Sequence, residues 1–195
     1  MSSILILFAH PRYENSSVQR RLADAALQVA GVTFHDLYES YPDFDIDIKQ
    51  EQSLLLGHDI IVLQHPFYWY SCPPLLKQWI DLVLEHGWAY GREGKSLAGK
   101  KMFNAISTGG SEEAYRPGGF NRFTIRQFLA PFDQTARLCN IIYCPPFVMH
   151  GTHRATARDI EHAAEDYRTL LEGLVTDKFP GEEISHATFL NELIK

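Results

Sequence analysis

At 195 residues, 45% of them apolar, the chain has room for one domain with a sizeable core. A formal net charge of −6 with no basic stripe argues against nucleic acid as a partner. No apolar run reaches the length of a membrane span, and Cys72, Cys139 and Cys144 lack CxxC spacing, so they read as cytosolic thiols rather than a disulfide framework or a zinc site.

The elements follow in chain order. Ile4 to Ala9 reads as a buried strand, entered without a signal-peptide pattern, and the loop His10 to Asn15 follows it. A helix starts at Ser16 or Ser17, where Ser16 and Gln19 have capping-box spacing; Val18, Leu22, Ala25, Ala26 and Val29 form its apolar face and Gly31 ends it. Val32 to Leu37 reads as a second strand and Ile48 to Leu56 as a second helix. Ile60 to Leu63 opens a third strand, buried on both faces. The loop Pro66-Phe67-Tyr68-Trp69-Tyr70 then leads to a helix begun by Pro73-Pro74 and stopped near Gly87. Its apolar stripe is Leu75, Leu76, Trp79, Ile80, Val83 and Leu84. Lys101 to Ser107 reads as a fourth strand, broken at Gly109-Gly110-Ser111. Helical pattern from Thr124 to Phe132, a fifth strand within Leu138 to Met149, a last helix with Ile160, Tyr167 and Leu171 on one face, and a loosely determined tail complete a single domain. Its core is expected over residues 4–174, with the tail at 175–195.

Strands alternating with helices imply an α/β fold: a five-stranded parallel sheet with right-handed crossovers and helices on both faces. With the first strand central, the expected order is 2-1-3-4-5, flavodoxin-like, and the switch point falls between strands one and three. The loops His10–Ser17 and Pro66–Tyr70 then face each other across one crevice, with Ser107–Gly110 beside them. The first loop offers hydroxyls, the Gln19 amide and the free N–H groups of a helix start, which suit a phosphate. The second offers aromatic walls where an ordinary turn would be small and polar. The third offers Thr108 and two glycines that let backbone amides approach a ring edge. A phosphate carried on a planar heteroaromatic ring satisfies all three, and flavin mononucleotide is the simplest such ligand.

The Ala9-His10-Pro11 start with its Ser-rich helix, the whole stretch from Gln64 to Tyr90, and Ser107 to Tyr115 resemble the flavodoxin-like NAD(P)H:quinone oxidoreductases. Tyr41 to Ile48 (YPDFDIDI) is similar to the branch that serves as ancillary proteins of glutathione-regulated potassium-efflux systems. The resemblance implies tightly bound FMN, with FAD as the alternative found in longer members, and a homodimer. It also implies ping-pong hydride transfer from NAD(P)H to flavin and on to a quinone. Cytoplasmic location follows, peripheral at the inner face of the membrane if a potassium/proton antiporter is the partner. Carried over by position, His10, Ser16, Ser17, Val18 and Gln19 would hold the phosphate end. Pro66, Phe67, Tyr68, Trp69 and Tyr70 would wall the ring, and Ser107, Thr108, Gly109 and Gly110 would follow its pyrimidine edge. Tyr115 matches a tyrosine that stabilises negative charge on reduced flavin or quinol in longer members. The histidine that partners it there is Asn121 here, which hydrogen-bonds but cannot become a cation.

Rival readings are weaker. Gly94-Lys95-Ser96 has the ending of a phosphate-binding P-loop but precedes a strand, where a P-loop follows one. Asp43, Asp45 and Asp47 alternate like a calcium loop, yet Ile48 and Leu54 stand where Gly and Glu are needed. His150 and His153 near Cys144 read as a solvated turn rather than a metal site, so no metal is expected. Two functional rivals stand beside the oxidoreductase. One is a regulatory subunit with a structural flavin; the other is a one-electron carrier, disfavoured because His10 to Tyr13 interrupts the phosphate loop.

Overall fold

The apolar runs at Ile4 and Ile60 become strands buried on both faces in the computed structural model, which describes residues 1–194. Strand β1 (Ile4–Phe8) is followed by α1 (Ser17–Ala26), β2 (Val32–Asp36), the one-turn α2 (Leu37–Ser40), α3 (Ile48–Leu56), β3 (Ile60–Pro66), α4 (Pro74–Val83) and β4 (Lys101–Ser107). The second half holds α5 (Ile125–Phe128), α6 (Ala130–Leu138), β5 (Ile142–Tyr143), β6 (Phe147–Met149), α7 (Ala157–Val175) and α8 (Gly181–His186). Every pairing is parallel, in the order β2-β1-β3-β4-β5, with β6 also on β4. Side chains alternate across the sheet. Leu5 and Leu7 pack with Leu55, Trp79 and Phe132 from α3, α4 and α6, whereas Ile4, Ile6 and Phe8 meet Leu22 and Tyr167 from α1 and α7. The chain therefore leaves β1 toward one face and β3 toward the other, which opens a crevice at their carboxyl ends.

Four expectations need correction. The fifth strand is two pieces, because Pro145 and Pro146 have no N–H to donate; β5 pairs with Lys101 and Met102, and β6 with Ala105 to Ser107. The helical stretch predicted from Thr124 to Phe132 is two helices, with Pro131 starting α6 because it cannot continue α5. Strand β2 stops at Asp36, whose carboxylate accepts from Tyr38 and Glu39 N–H and caps α2. The tail is built into the domain. Leu190 N–H donates to Pro146 C=O, and Asn191 accepts from Val148 N–H and donates to its C=O, which satisfies the outer edge of β6.

Strand β2 and α4 are also joined through Glu51, a fully buried carboxylate on α3. Burial alone would raise its pKa, but hydrogen bonds from His35 Nε2, Tyr41 Oη and Trp79 Nε1 outweigh that and hold it below the usual range.

Candidate functional site

Helix α1 begins at the carboxyl edge of the sheet. Ser16 Oγ accepts from Gln19 N–H at 3.1 Å, while Ser17 and Val18 N–H, in the first turn, have no intrahelical acceptor. His10 Nδ1 accepts from Arg12 N–H at 3.1 Å, so Nε2–H is its remaining donor. Burial lowers the His10 pKa, against the upward pull of Glu14, and the ring is neutral at pH 7. It meets Tyr68 edge to face at 5.8 Å.

The aromatic loop does not form one continuous wall. Phe67 N–H extends the ladder to Ser107 C=O, and its ring packs against Tyr70, Tyr115 and Phe128. Trp69 and Tyr70 both have positive φ, 49° and 65°, which turns the chain sharply. Trp69 is left 93% exposed, and Tyr70 turns away to stack on Phe128 at 5.0 Å.

Of the predicted residues, His10, Ser16, Ser17, Val18, Pro66, Phe67, Tyr68, Trp69, Ser107 and Gly109 line one crevice of about 630 Å³. The rest lie outside its wall. Gln19 is 0% exposed; only its backbone takes part in the cap, because the side chain donates to Ser107 Oγ instead of returning to Ser16. Thr108 is 1% exposed and turns its hydroxyl to Gly110 C=O. Asn121 accepts from Tyr70 Oη at 3.3 Å. Tyr115 packs on Gly110 and walls a neighbouring cavity of about 440 Å³ with Glu112, Arg116 and His150. Burial raises the Tyr115 phenol, against the lowering influence of Thr108 and Asn121.

Four further residues line it: Arg12 and Asn15, within the His10–Ser17 loop expected at the crevice, and Thr152 and His153, from a loop not expected there. The last two lie on the loop after β6, another carboxyl-end loop, where His153 is exposed on the expected turn and also borders the crevice. A Cβ on Gly109 would stand 2.4 Å from His153 Nε2, so any side chain there would displace the exposed His153 ring from its place over this backbone. Among the described residues, no group of three His, Cys, Asp or Glu side chains is placed to hold a metal ion.

A family model described as the flavodoxin-like fold matches residues 2–171. The chain belongs to the flavodoxin-like family. This flavodoxin-like chain is 45% identical over 170 residues to the glutathione-regulated potassium-efflux system ancillary protein KefG of Cronobacter sakazakii, covering 87% of itself and 92% of that protein. It is also similar to the general stress protein 14 of Treponema denticola, solved in complex with FMN: 43% identity, TM-score 0.84, 88% of this chain and 99% of that one. An NADPH-quinone reductase from P. pentosaceus shares 34% identity with a TM-score of 0.78, over 86% and 96% of the two chains.

Proposed function

We propose that this chain is an FMN-dependent NAD(P)H:quinone oxidoreductase. The observation that carries the reading is one crevice that unites the free N–H groups of the α1 start with the exposed rings of Tyr68 and Trp69. The donor set fits FMN. Ser17 Oγ, the Ser17 and Val18 amides and neutral His10 Nε2–H would hold the phosphate, and Arg12 in the same wall adds a cation. Tyr68 and Trp69 would cover the ring, while Gly109 lets the backbone come close to its edge. The FMN-bound relative and the relative named a quinone reductase support the same ligand and acceptor.

When bound, FMN supplies a centre that takes hydride from NAD(P)H and passes it to a quinone in ping-pong order. The chain's own part is to hold the ring aligned and exclude water from one face. Asn121 moves no proton, but orientation does not need it to. Purified protein given FMN, NADH or NADPH and a simple quinone is expected to oxidise the nucleotide only when the quinone is present. Mass analysis of the released flavin separates FMN from FAD. No quinone-dependent oxidation would overturn the reading.

The likeness to KefG, an ancillary protein of a glutathione-regulated potassium-efflux system, favours a second reading, in which the same flavin-loaded chain docks on a potassium/proton antiporter at the cytoplasmic face and regulates it. Among the described residues no helix is long and apolar enough to cross a membrane, so such docking would be peripheral. Co-sedimentation with antiporter-containing membranes, with and without flavin, tests it. Trp69 and Phe120 leave large rings almost fully exposed, apolar area that a second copy would cover in a homodimer. Size-exclusion chromatography with light scattering checks that expectation.

A further inference from the structure

The loops after β4 and β6 are laced together. Thr108 N–H donates to Met149 C=O, Thr152 N–H to Thr108 C=O and Gly151 N–H to Gly110 C=O, at 2.9, 3.0 and 2.9 Å. Thr108 Oγ1 donates to Gly110 C=O at 2.9 Å, so its lone pairs face His150 Nδ1, 3.3 Å away. The arrangement that satisfies both Thr108 contacts at once places the imidazole proton on Nδ1. Nε2 is then a lone pair, and it is buried without a hydrogen-bond partner. Phe189 stands edge to face with the His150 ring at 5.6 Å, and the Tyr115 ring lies 5.9 Å away.

An orphaned buried acceptor on a titratable ring calls for an account. Nothing in the fold needs a histidine here to satisfy Thr108; an amide would donate as well. What histidine adds is a second, protonatable nitrogen, one hydrogen bond from the Thr108–Gly110 segment that borders the crevice. Burial lowers its pKa, and Glu112 and Glu113 pull it back upward. Tyr115, Arg116 and Arg126 are the other titratable or charged groups on the walls of this cavity.

We propose that His150 is a positioning residue that fixes the Thr108–Gly110 edge and takes up a proton at Nε2 when a ligand in the crevice gains negative charge. The proton comes from solvent and returns there when the charge is withdrawn; no other bond is made or broken. The proposal rests on the flavin reading above, and it extends that reading to proton balance without assigning any step to Asn121.

The test is the midpoint potential of the FMN-loaded protein as a function of pH, for wild type and His150→Gln. Glutamine keeps a donor for Thr108 and cannot protonate. Wild type is expected to show, within about pH 5 to 8, a section where the reduction equilibrium changes an extra tenfold per pH unit, about 30 mV for a two-electron couple. His150→Gln should lose that section. A section kept in the variant belongs to another group, such as His10 or the reduced flavin ring itself, and overturns the proposal alone. Failure of wild type to bind FMN, read by flavin fluorescence quenching, overturns the flavin reading and this proposal with it. Should His150→Gln not fold, Glu112→Gln with Glu113→Gln serves instead, since both carboxylates are exposed. The section should then move to lower pH, and an unmoved section counts against the proposal.

Discussion

Gln19 Nε2 donates to Ser107 Oγ at 2.9 Å, joining the first turn of α1 to the last residue of β4 under the floor of the crevice. The bond is one link in a buried chain: Tyr167 Oη donates to Gln64 Oε1, and Gln64 Nε2 to Gln19 Oε1, each at 3.1 Å. Helices α1 and α7 and strands β3 and β4 are thus held in register by buried polar groups, of which Ser107 alone borders the crevice.

Gln19→Leu leaves Ser107 Oγ and Gln64 Nε2 without these partners. It is expected to lower stability by about 1–3 kcal/mol, the cost of a buried unsatisfied group. A urea midpoint shows the loss. Flavin affinity should fall as well, although the side chain does not line the crevice, because Ser107 does. An unchanged midpoint would mean that water replaces the amide.

Trp69 combines a left-handed backbone with a ring that touches little. In Trp69→Gly the relief of positive φ and the entropy glycine adds to the unfolded chain oppose each other, so stability should stay within about 1 kcal/mol. Flavin affinity should drop several-fold, since aromatic stacking contributes on the order of 1 kcal/mol beyond area. Yellow colour retained equally by both proteins through gel filtration would count against Trp69 as a ring contact.

The sheet order was legible because Ile4–Phe8 and Ile60–Leu63 are apolar on both faces, while apolar pairs four positions apart (Val18 and Leu22, Trp79 and Val83, Tyr167 and Leu171) mark the helices between them. Crevice residues such as His10, Ser17 and Gly109 were legible for a topological reason: they follow strands, so the backbone alone carries them to the carboxyl edge. Side-chain direction was not. Gln19 has the spacing of a local cap, yet its partner is 88 positions away, and nothing local reports that. Two successive positive φ values decide that Trp69 faces the crevice and Tyr70 does not, and non-glycine residues seldom announce such a backbone. Thr152 and His153 were missed because Pro145 and Pro146 interrupt the last strand and blur where its carboxyl end falls.

Tyr115→Phe is expected to lower quinone turnover while leaving flavin content unchanged, because the phenol borders Gly110 and not the crevice wall. Removing one oxygen keeps the edge-to-face contacts with Phe67 and Phe128. Steady-state rates at saturating nucleotide, normalised to bound flavin, measure the effect. Equal rates would remove Tyr115 from the chemistry.

His65 gives the fold a pH dependence of predictable sign. The ring is fully buried in β3 and stacks on Phe132 at 5.9 Å. Nδ1–H donates to Pro66 C=O at 2.9 Å, and Nε2 accepts from Asn104 Nδ2 at 3.0 Å, so both nitrogens are committed to the neutral form. Burial depresses the pKa from 6.5 to about 4. Between those values the unfolded chain binds a proton that the folded one refuses. The stabilisation is therefore complete above pH 6.5 and declines as pH falls to about 4, by about 3 kcal/mol. Unfolding free energies measured across this window should fall more steeply for wild type than for His65→Gln, whose amide retains a donor and an acceptor. His10 and His150, also depressed by burial, add slope of the same sign to both proteins, so the difference between the two curves isolates His65. Parallel curves would show that its proton is not excluded. Because the His65 bond holds the carbonyl of Pro66 at the entrance to the aromatic loop, flavin affinity of the wild type should weaken over the same fall in pH.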